Sequence, residues 1–429
     1  AERGIRLDPA LFAEPAAAQC VVRSLRLQVG AGLDASGRLE APLPVVVQPP
    51  VGDCAGNDRF RFGSGLYDIT GVVAYTGGSG WESPTQVFRG LHQRQYARAY
   101  AIESPCNGRR LMFVSADIGL MYGSLRLGVL DAIAADPLLA GRYGADNLML
   151  SATHTHSGPA GYSHHEAGNA LHFGYDETVY NTIVSGMVEA IRLADVNLQA
   201  HPEPAPIRMA IGELLDTSIN RSKPAFAMNS EAERREFLDA RGRPIETDKR
   251  VVQLNLVRGD GSAVGIINWF GVHPTTIGPT RHFVSSDNKG YAAAQAEQHL
   301  EESGATGAVA IFAQGTAGDV SPHYHGPRAL ARRCQISGRM EYAYAAENGR
   351  HQSRLALNIV DDPEQQPLTG GIDAIFSYID FRAIHADPAM ANGEPEAWTS
   401  DPCHGVSFFA GTPVDGLGVA PPLARSEER

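Results

Sequence analysis

The residues best suited to chemistry lie in the run Ser151-Ala152-Thr153-His154-Thr155-His156-Ser157-Gly158. His154 and His156 stand two residues apart where an apolar stretch ends, so in extended chain their side chains leave the same face. Neutral imidazole is the commonest metal ligand, and zinc takes three or four N, O or S ligands. The pair therefore suits one shared metal or one substrate group, although spacing alone suits loop histidines bonded to backbone equally well. His273 holds a matching place in Gly271-Val272-His273-Pro274-Thr275, directly after an apolar run. Alone it reads as a structural histidine as readily as a ligand, and it gains weight if its strand lies beside the one before His154. Ser321, in Gly318-Asp319-Val320-Ser321-Pro322, follows another apolar run and a glycine-rich turn. It suits a nucleophile with backbone N–H groups near an oxyanion, or a simple turn serine. It does not match the G-x-S-x-G elbow. Arg221, in Ser218-Ile219-Asn220-Arg221-Ser222, reads by itself as a surface charge.

The elements that must position these residues are written in the hydrophobic periodicity. Residues 111–116 (LMFVSA), 147–152 (NLMLSA) and 308–313 (AVAIFA) are short apolar runs of the kind found in strands buried on both faces. The second leads to His154 and the third to Ser321. Residues 251–257 and 263–269 predict two strands joined through Gly259-Asp260-Gly261, a hairpin signal, and the second of them leads to His273. Helical patterns fill 125–134 and 291–300. Asp176 predicts an N-cap for a helix whose apolar face is Val179, Ile183, Met187 and Ile191. Strands alternating with helices, with polar loops at the strand ends, predict an α/β layered domain of mixed sheets with its site at the strand tips. Residues 1–58 read as a separate N-terminal extension, and 59–429 as the main domain.

Composition narrows the function class. The chain has 429 residues, 43% hydrophobic and 20% charged, as in ordinary folded proteins. Its 36 Lys and Arg against 48 Asp and Glu give a formal charge of −12, and no basic run stands out, which argues against nucleic acid as a partner. No stretch approaches the roughly 18 apolar residues needed to span a bilayer. The start at Ala1-Glu2-Arg3 resembles a mature chain after signal-peptide removal, so a secreted or periplasmic location is expected. Cys20, Cys54, Cys106, Cys334 and Cys403 are widely spaced and suit one or two disulfides.

Taken in order, several segments resemble the neutral (non-lysosomal) ceramidase family from about residue 60 to 420. They are GSGLYDITG (63–71), GLHQRQYARA (90–99), FVSADIG (113–119), NLMLSATHTHSGPAGYSHH (147–165) and LLDTSINRS (214–222). INWFGVHPT (267–275), SSDNKGYA (285–292), AGDVSP (317–322) and SFFAGTPVDGLG (407–418) follow. The resemblance implies a zinc-dependent hydrolase that cleaves the amide of N-acylsphingosine to sphingosine and a fatty acid. It implies His154 and His273 as zinc ligands, and His156 beside the metal or facing the substrate near the oxyanion. Arg221 would hold the polar head or the catalytic network, and Ser321 would be the nucleophile. Amide cleavage needs a polarised carbonyl, an activated oxygen and a proton for the leaving amine. Zinc supplies the first two, and a protonated His156 or a polarised water the third. Direct attack by Ser321 and attack by a water that Ser321 positions both remain open.

The sequence also departs from the family. The family completes its zinc site with a glutamate in a Pro-Gly-Glu-Phe-Thr-like segment and a tyrosine beyond it, and neither segment is found among these residues. Both ligands are expected outside this chain, on a second chain from a processed precursor; a truncated fragment is the other explanation. His323, followed by Tyr324 and His325, stands where the family usually has Asn, and the loop VVAYTGGSGW (72–81) also differs. The head group is therefore less firmly indicated than the reaction. An N-acylated amphiphile such as a lipopeptide is the alternative substrate, and a non-catalytic lipid-binding protein on the same scaffold the alternative of another class. Peripheral contact with a membrane surface is also expected.

Overall fold

The computed structural model describes residues 54–323 and 339–374, apart from 82, 166–167, 170–171, 240 and 259–262, together with short stretches between 376 and 417. The described residues divide into two compact units, one of 54–372 with 411–417 and one of those from 373 to 399. All candidate site residues belong to the first unit. It begins with β1 (Arg61–Asp68), the hairpin β2 (Ala74–Gly77) and β3 (Val87–Arg89), then β4 (Tyr96–Glu103) and β5 (Arg110–Ala116). Helix α1 (Gly123–Ala135), β6 (Leu148–Ala152) and helix α2 (Glu177–Ala200) follow. Strands β1, β4, β5 and β6 form one sheet in that order, parallel between β5 and β6 and antiparallel elsewhere.

Strand β4 shows how the layers arise. Side chains alternate between faces, so Ala97, Ala99 and Ala101 pack in the core under α2 while Tyr100 and Ile102 enter a different core on the other face. The small residues let α2 lie close, and β1 takes this further with glycine. A Cβ on Gly63 would stand 2.1 Å from the Leu198 nitrogen, and one on Gly65 2.1 Å from the Ala190 oxygen, so neither position admits a side chain. Helix α2 starts as its sequence predicts. The Asp176 carboxylate accepts from the Thr178 and Val179 N–H groups, and Val179, Ile183, Met187 and Ile191 are buried.

The chain continues through β7 (Ile207–Glu213), β8 (Ile219–Asn220) and the short helices α3 (Lys223–Met228) and α4 (Glu231–Arg234). Then come β9 (Arg250–Val257), β10 (Ala263–Phe270), α5 (Asp287–Glu302), β11 (Val309–Gln314) and β12 (Val320–Ser321). A long helix, α6 (Arg339–Val360), and β13 (Gln366–Pro367) follow, and β14 (Gly411–Thr412) pairs with β15 (Gly416–Leu417). The second sheet has the order β11-β10-β9-β7-β13, with β10 and β11 parallel and the other pairs antiparallel. Tyr100, Ile102 and Phe113 of the first sheet pack with Ile267, Val309 and Ile311 of the second. Ala292, Ala293 and Ala296 of α5 and Ala356 of α6 pack against Ile266, Ala310 and Phe312 on the far side. The result is a helix–sheet–sheet–helix stack, the layered α/β arrangement with mixed sheets that the periodicity predicts.

Three expectations need adjustment. Strand β6 is the last of its sheet among the described residues, so Met149 is 53% exposed where the apolar run predicts burial on both faces. Helix α5 begins at Asp287, four residues before its apolar pattern does, because its first turn buries polar Asp287, Asn288 and Lys289, which carry no apolar signal. Strands β9 and β10 are antiparallel neighbours as predicted, but the turn through Gly259, Asp260 and Gly261 lies outside the described residues. A disulfide joins Cys54 to Cys106, while Cys20, Cys334 and Cys403, and residues 1–53 of the N-terminal extension, lie outside the described residues. No described helix is long and apolar enough to cross a membrane.

Candidate active site

His154 and His156 leave the end of β6, and His273 leaves the end of β10, so the histidines come from different sheets. Gln314, the last residue of β11, ties the two strand exits together. Its amide nitrogen donates to the Thr153 carbonyl at 2.8 Å and the Val272 carbonyl at 2.7 Å, and its oxygen accepts from the Val272 N–H at 3.2 Å. Three imidazoles thereby converge, with ring centroids 4.6 Å (His154–His156), 4.8 Å (His154–His273) and 5.6 Å (His156–His273) apart. One ring nitrogen from each lies within 4.8 Å of the others.

Backbone carbonyls fix the tautomers. His154 Nδ1 lies 2.6 Å from the Gly119 oxygen, and His273 Nδ1 2.7 Å from the Ala317 oxygen. A carbonyl only accepts, so both Nδ1 atoms carry the proton and both Nε2 atoms present a lone pair. His156 Nε2, 3.1 Å from His154 Nε2, is then the donor between them. Burial, with Arg221 nearby, pushes the His154 and His273 pKa values down, and burial with the surrounding groups holds His156 well below the usual histidine range. All three are neutral at neutral pH, the form that binds a cation. This donor set fits zinc or a similar divalent ion. The structure thus presents the His156 Nε2 as an N–H donor to His154.

The backbone is shaped around these rings. His154 has φ 69°, a left-handed conformation that non-glycine residues take rarely and chiefly at functional sites. Gly80, at φ +99°, passes so close to His156 that a Cβ there would lie 2.7 Å from its ring. The Trp81 ring meets His156 edge-on at 5.0 Å and is pinned by its indole N–H to the Ile277 carbonyl.

The ribbon β8–β12 delivers the other two predicted residues. Val320 pairs with Asn220 and Ser321 with Ile219, and the Arg221 N–H donates to the Asp319 carbonyl at 2.8 Å. Ser321 is fully buried, and its hydroxyl donates to Asp415 Oδ1 at 2.7 Å. Arg221 donates from Nε to Asp415 Oδ2 at 2.9 Å and from Nη1 to His273 Nε2 at 3.2 Å. Ser321, Asp415, Arg221 and His273 therefore form one connected network with the histidine cluster. His323 stacks on Tyr344 at 12° between planes and lies 3.7 Å from Asp415 Oδ1; Tyr324 and His325 lie outside the described residues.

The model of the neutral/alkaline non-lysosomal ceramidase N-terminal region matches residues 60–427. The chain belongs to this family. It is 35% identical to the neutral ceramidase of Pseudomonas aeruginosa over 84% of its own length and 50% of that protein. Neutral ceramidase B of Dictyostelium discoideum is 31% identical over 85% of this chain and 52% of that one. Among solved structures, the P. aeruginosa neutral ceramidase superposes with a TM-score of 0.68 at 34% identity, covering 79% of this chain and 50% of that chain. A ceramidase complexed with C2 gives 0.72 at 33% identity, covering 85% and 53%. The chain thus spans about half the length of the ceramidases it matches.

Two residues of this ceramidase-family site carry no clear local signal in the sequence. Asp415 stands 94 positions beyond Ser321, before a glycine, where Asp-Gly reads as a turn. Gln314 ends an apolar strand and resembles any polar strand-end residue. Asp287 supports the His273 loop from beneath, accepting from the Ile277 N–H at 2.9 Å, while neighbouring Asn288 donates to the His273 carbonyl at 3.1 Å. Burial raises the Asp287 pKa to about 6, above its unfolded value. A raised carboxyl pKa contributes stability below the unfolded pKa that is lost as pH rises through the folded one, at about 1.4 kcal/mol for each pH unit between the two. Stability relative to Asp287→Asn should therefore fall between about pH 4 and pH 6, as read by urea unfolding at several pH values. A difference that stays flat over this range would show that Asp287 does not titrate in the fold.

Proposed function

We propose that this chain forms the metal-binding and nucleophile-bearing part of a zinc-dependent amidohydrolase that cleaves the N-acyl amide of ceramide. The products are a fatty acid and a sphingosine-type amine. The observation that carries this reading is the convergence of His154, His156 and His273, with a chain of hydrogen bonds from Ser321 through Asp415 to Arg221 ending beside His273. A zinc ion held by His154 and His273 would polarise the acyl carbonyl as a Lewis acid. Ser321 is the nucleophile, His156 offers its N–H to the developing oxyanion, and Arg221 carries the fixed positive charge beside it. The glutamate and tyrosine that complete the family's zinc site come from polypeptide outside these residues, on a second chain of a processed precursor. Residues 59–429 are then the ceramidase-like domain of that assembly, and it works outside the cytoplasm, secreted or periplasmic. Tyr75 (92% exposed) and Phe173 (69%) suit peripheral contact with a lipid surface. The Tyr75 strand and the Phe173 loop meet where Gly77 lies against His172, next to the bridge from Gly78 to Pro159 beyond His156.

Fatty-acid release from ceramide and from an N-acylated peptide, measured on the purified zinc-loaded assembly, tests the reading. Release from ceramide is expected to dominate. Release from the acylated peptide alone would move the substrate to lipopeptides. With a full complement of zinc, no release from either would leave a lipid-binding protein. A denaturing gel of the same preparation tests the second polypeptide.

A further inference from the structure

Asp415 lies in the turn between β14 and β15, with its side chain 3% exposed. Both carboxylate oxygens are used. Oδ1 accepts from the Ser321 hydroxyl at 2.7 Å and from Thr275 at 3.4 Å, and Oδ2 accepts from Arg221 Nε at 2.9 Å and from Thr412 at 3.4 Å. Thr412 in turn accepts the Asp415 backbone N–H at 2.9 Å, which fixes the turn that presents the carboxylate. A buried carboxylate is costly unless paired and hydrogen-bonded, and here its charge partner is Arg221 itself.

We infer that Asp415 is a positioning residue for Ser321, a role that rests on the reading of Ser321 as nucleophile. A serine hydroxyl is one donor and two lone pairs on a free rotor, so an unguided Oγ points its proton in several directions. Asp415 can only accept from it. The Ser321 proton is held toward Asp415, one Oγ lone pair accepts from the His323 N–H at 3.3 Å, and the other is left for the rest of the site. The same carboxylate holds the Arg221 guanidinium, which reaches His273 Nε2 at 3.2 Å. Hydroxyl and guanidinium are thereby set in one frame by a single side chain from a distant turn.

Asp415→Asn separates this role from a purely structural one. The amide has nearly the shape of the carboxylate but one oxygen in place of two. Arg221, always a donor, claims that oxygen, so the NH2 group faces Ser321 and turns its hydroxyl from donor into acceptor. Covalent labelling of Ser321 by an alkyl fluorophosphonate, followed by mass spectrometry, reads the serine without amide turnover. Labelling rate and kcat are both expected to fall about a hundredfold or more, with KM within about twofold and zinc content unchanged. Wild-type labelling by Asp415→Asn overturns the inference. An Asp415→Asn protein without native circular dichroism also overturns it, because the carboxylate would then serve the fold and not the serine. Failure of the nucleophile reading is distinct: Ser321→Ala would keep its turnover whatever Asp415→Asn does.

Discussion

Ser321→Ala is expected to lower fatty-acid release by about a thousandfold or more while leaving the bound metal in place. The two halves of this result come from different parts of the site. The Ser321 side chain is linked to His273 through Asp415 and Arg221, so its loss removes an attacking oxygen and no metal-ligating atom. The cost to the fold is modest, since Asp415 keeps its pairing with Arg221 and loses one donor, a matter of about 1–3 kcal/mol. His273→Ala should do the reverse and empty the site, because it removes one of the two lone pairs that backbone carbonyls hold in place. Metal content measured by plasma mass spectrometry, alongside turnover, checks both variants. Turnover retained without Ser321 would assign the attacking oxygen to water, and metal retained without His273 would remove it as a ligand.

The sequence revealed the parts of this site more fully than the way they meet. Strands such as β5 and β11 and the helix α2 are encoded by local periodicity, and each appears where the pattern places it. His154 and His273 were also legible as strand-exit residues, and Ser321 as a serine beyond a buried strand and a glycine-rich turn, although it lies in the short strand β12. Their meeting was not legible, since β6 and β10 belong to different sheets and stacking leaves no periodic trace. The contacts that close the gap are single polar residues. Gln314 bridges two strand exits, and Asp415 joins across 94 positions to Ser321. Long-range hydrogen bonds of this kind depend on the finished fold and on no spacing within one segment.

Arg98 is the clearest case, and it carries the largest expected effect on stability. It sits in β4 among alanines and aromatics, where the alternating pattern points it into the stack, yet it is charged and only 3% exposed. Its guanidinium takes Glu297 of α5 in a two-pronged grip, at 2.7 and 3.1 Å, and Asp117 at 2.9 Å. One side chain thereby links the first sheet, the loop after β5 and the helix layer behind the second sheet. The same loop supplies the Gly119 carbonyl that orients His154, two residues after Asp117. Arg98→Met keeps most of the apolar stem but leaves buried Asp117 and half-buried Glu297 without their cation, and should cost about 3–5 kcal/mol in urea unfolding. Burial already pushes the Asp117 pKa up, and loss of Arg98 removes the main attraction opposing that rise. Asp117 of the variant should then take up a proton more readily in the fold than in the unfolded chain. A folded pKa above the unfolded one adds stability as pH falls, so the deficit of Arg98→Met should shrink from pH 7 toward pH 5. A loss below about 1 kcal/mol that does not change with pH would mean that the stack holds without this cluster.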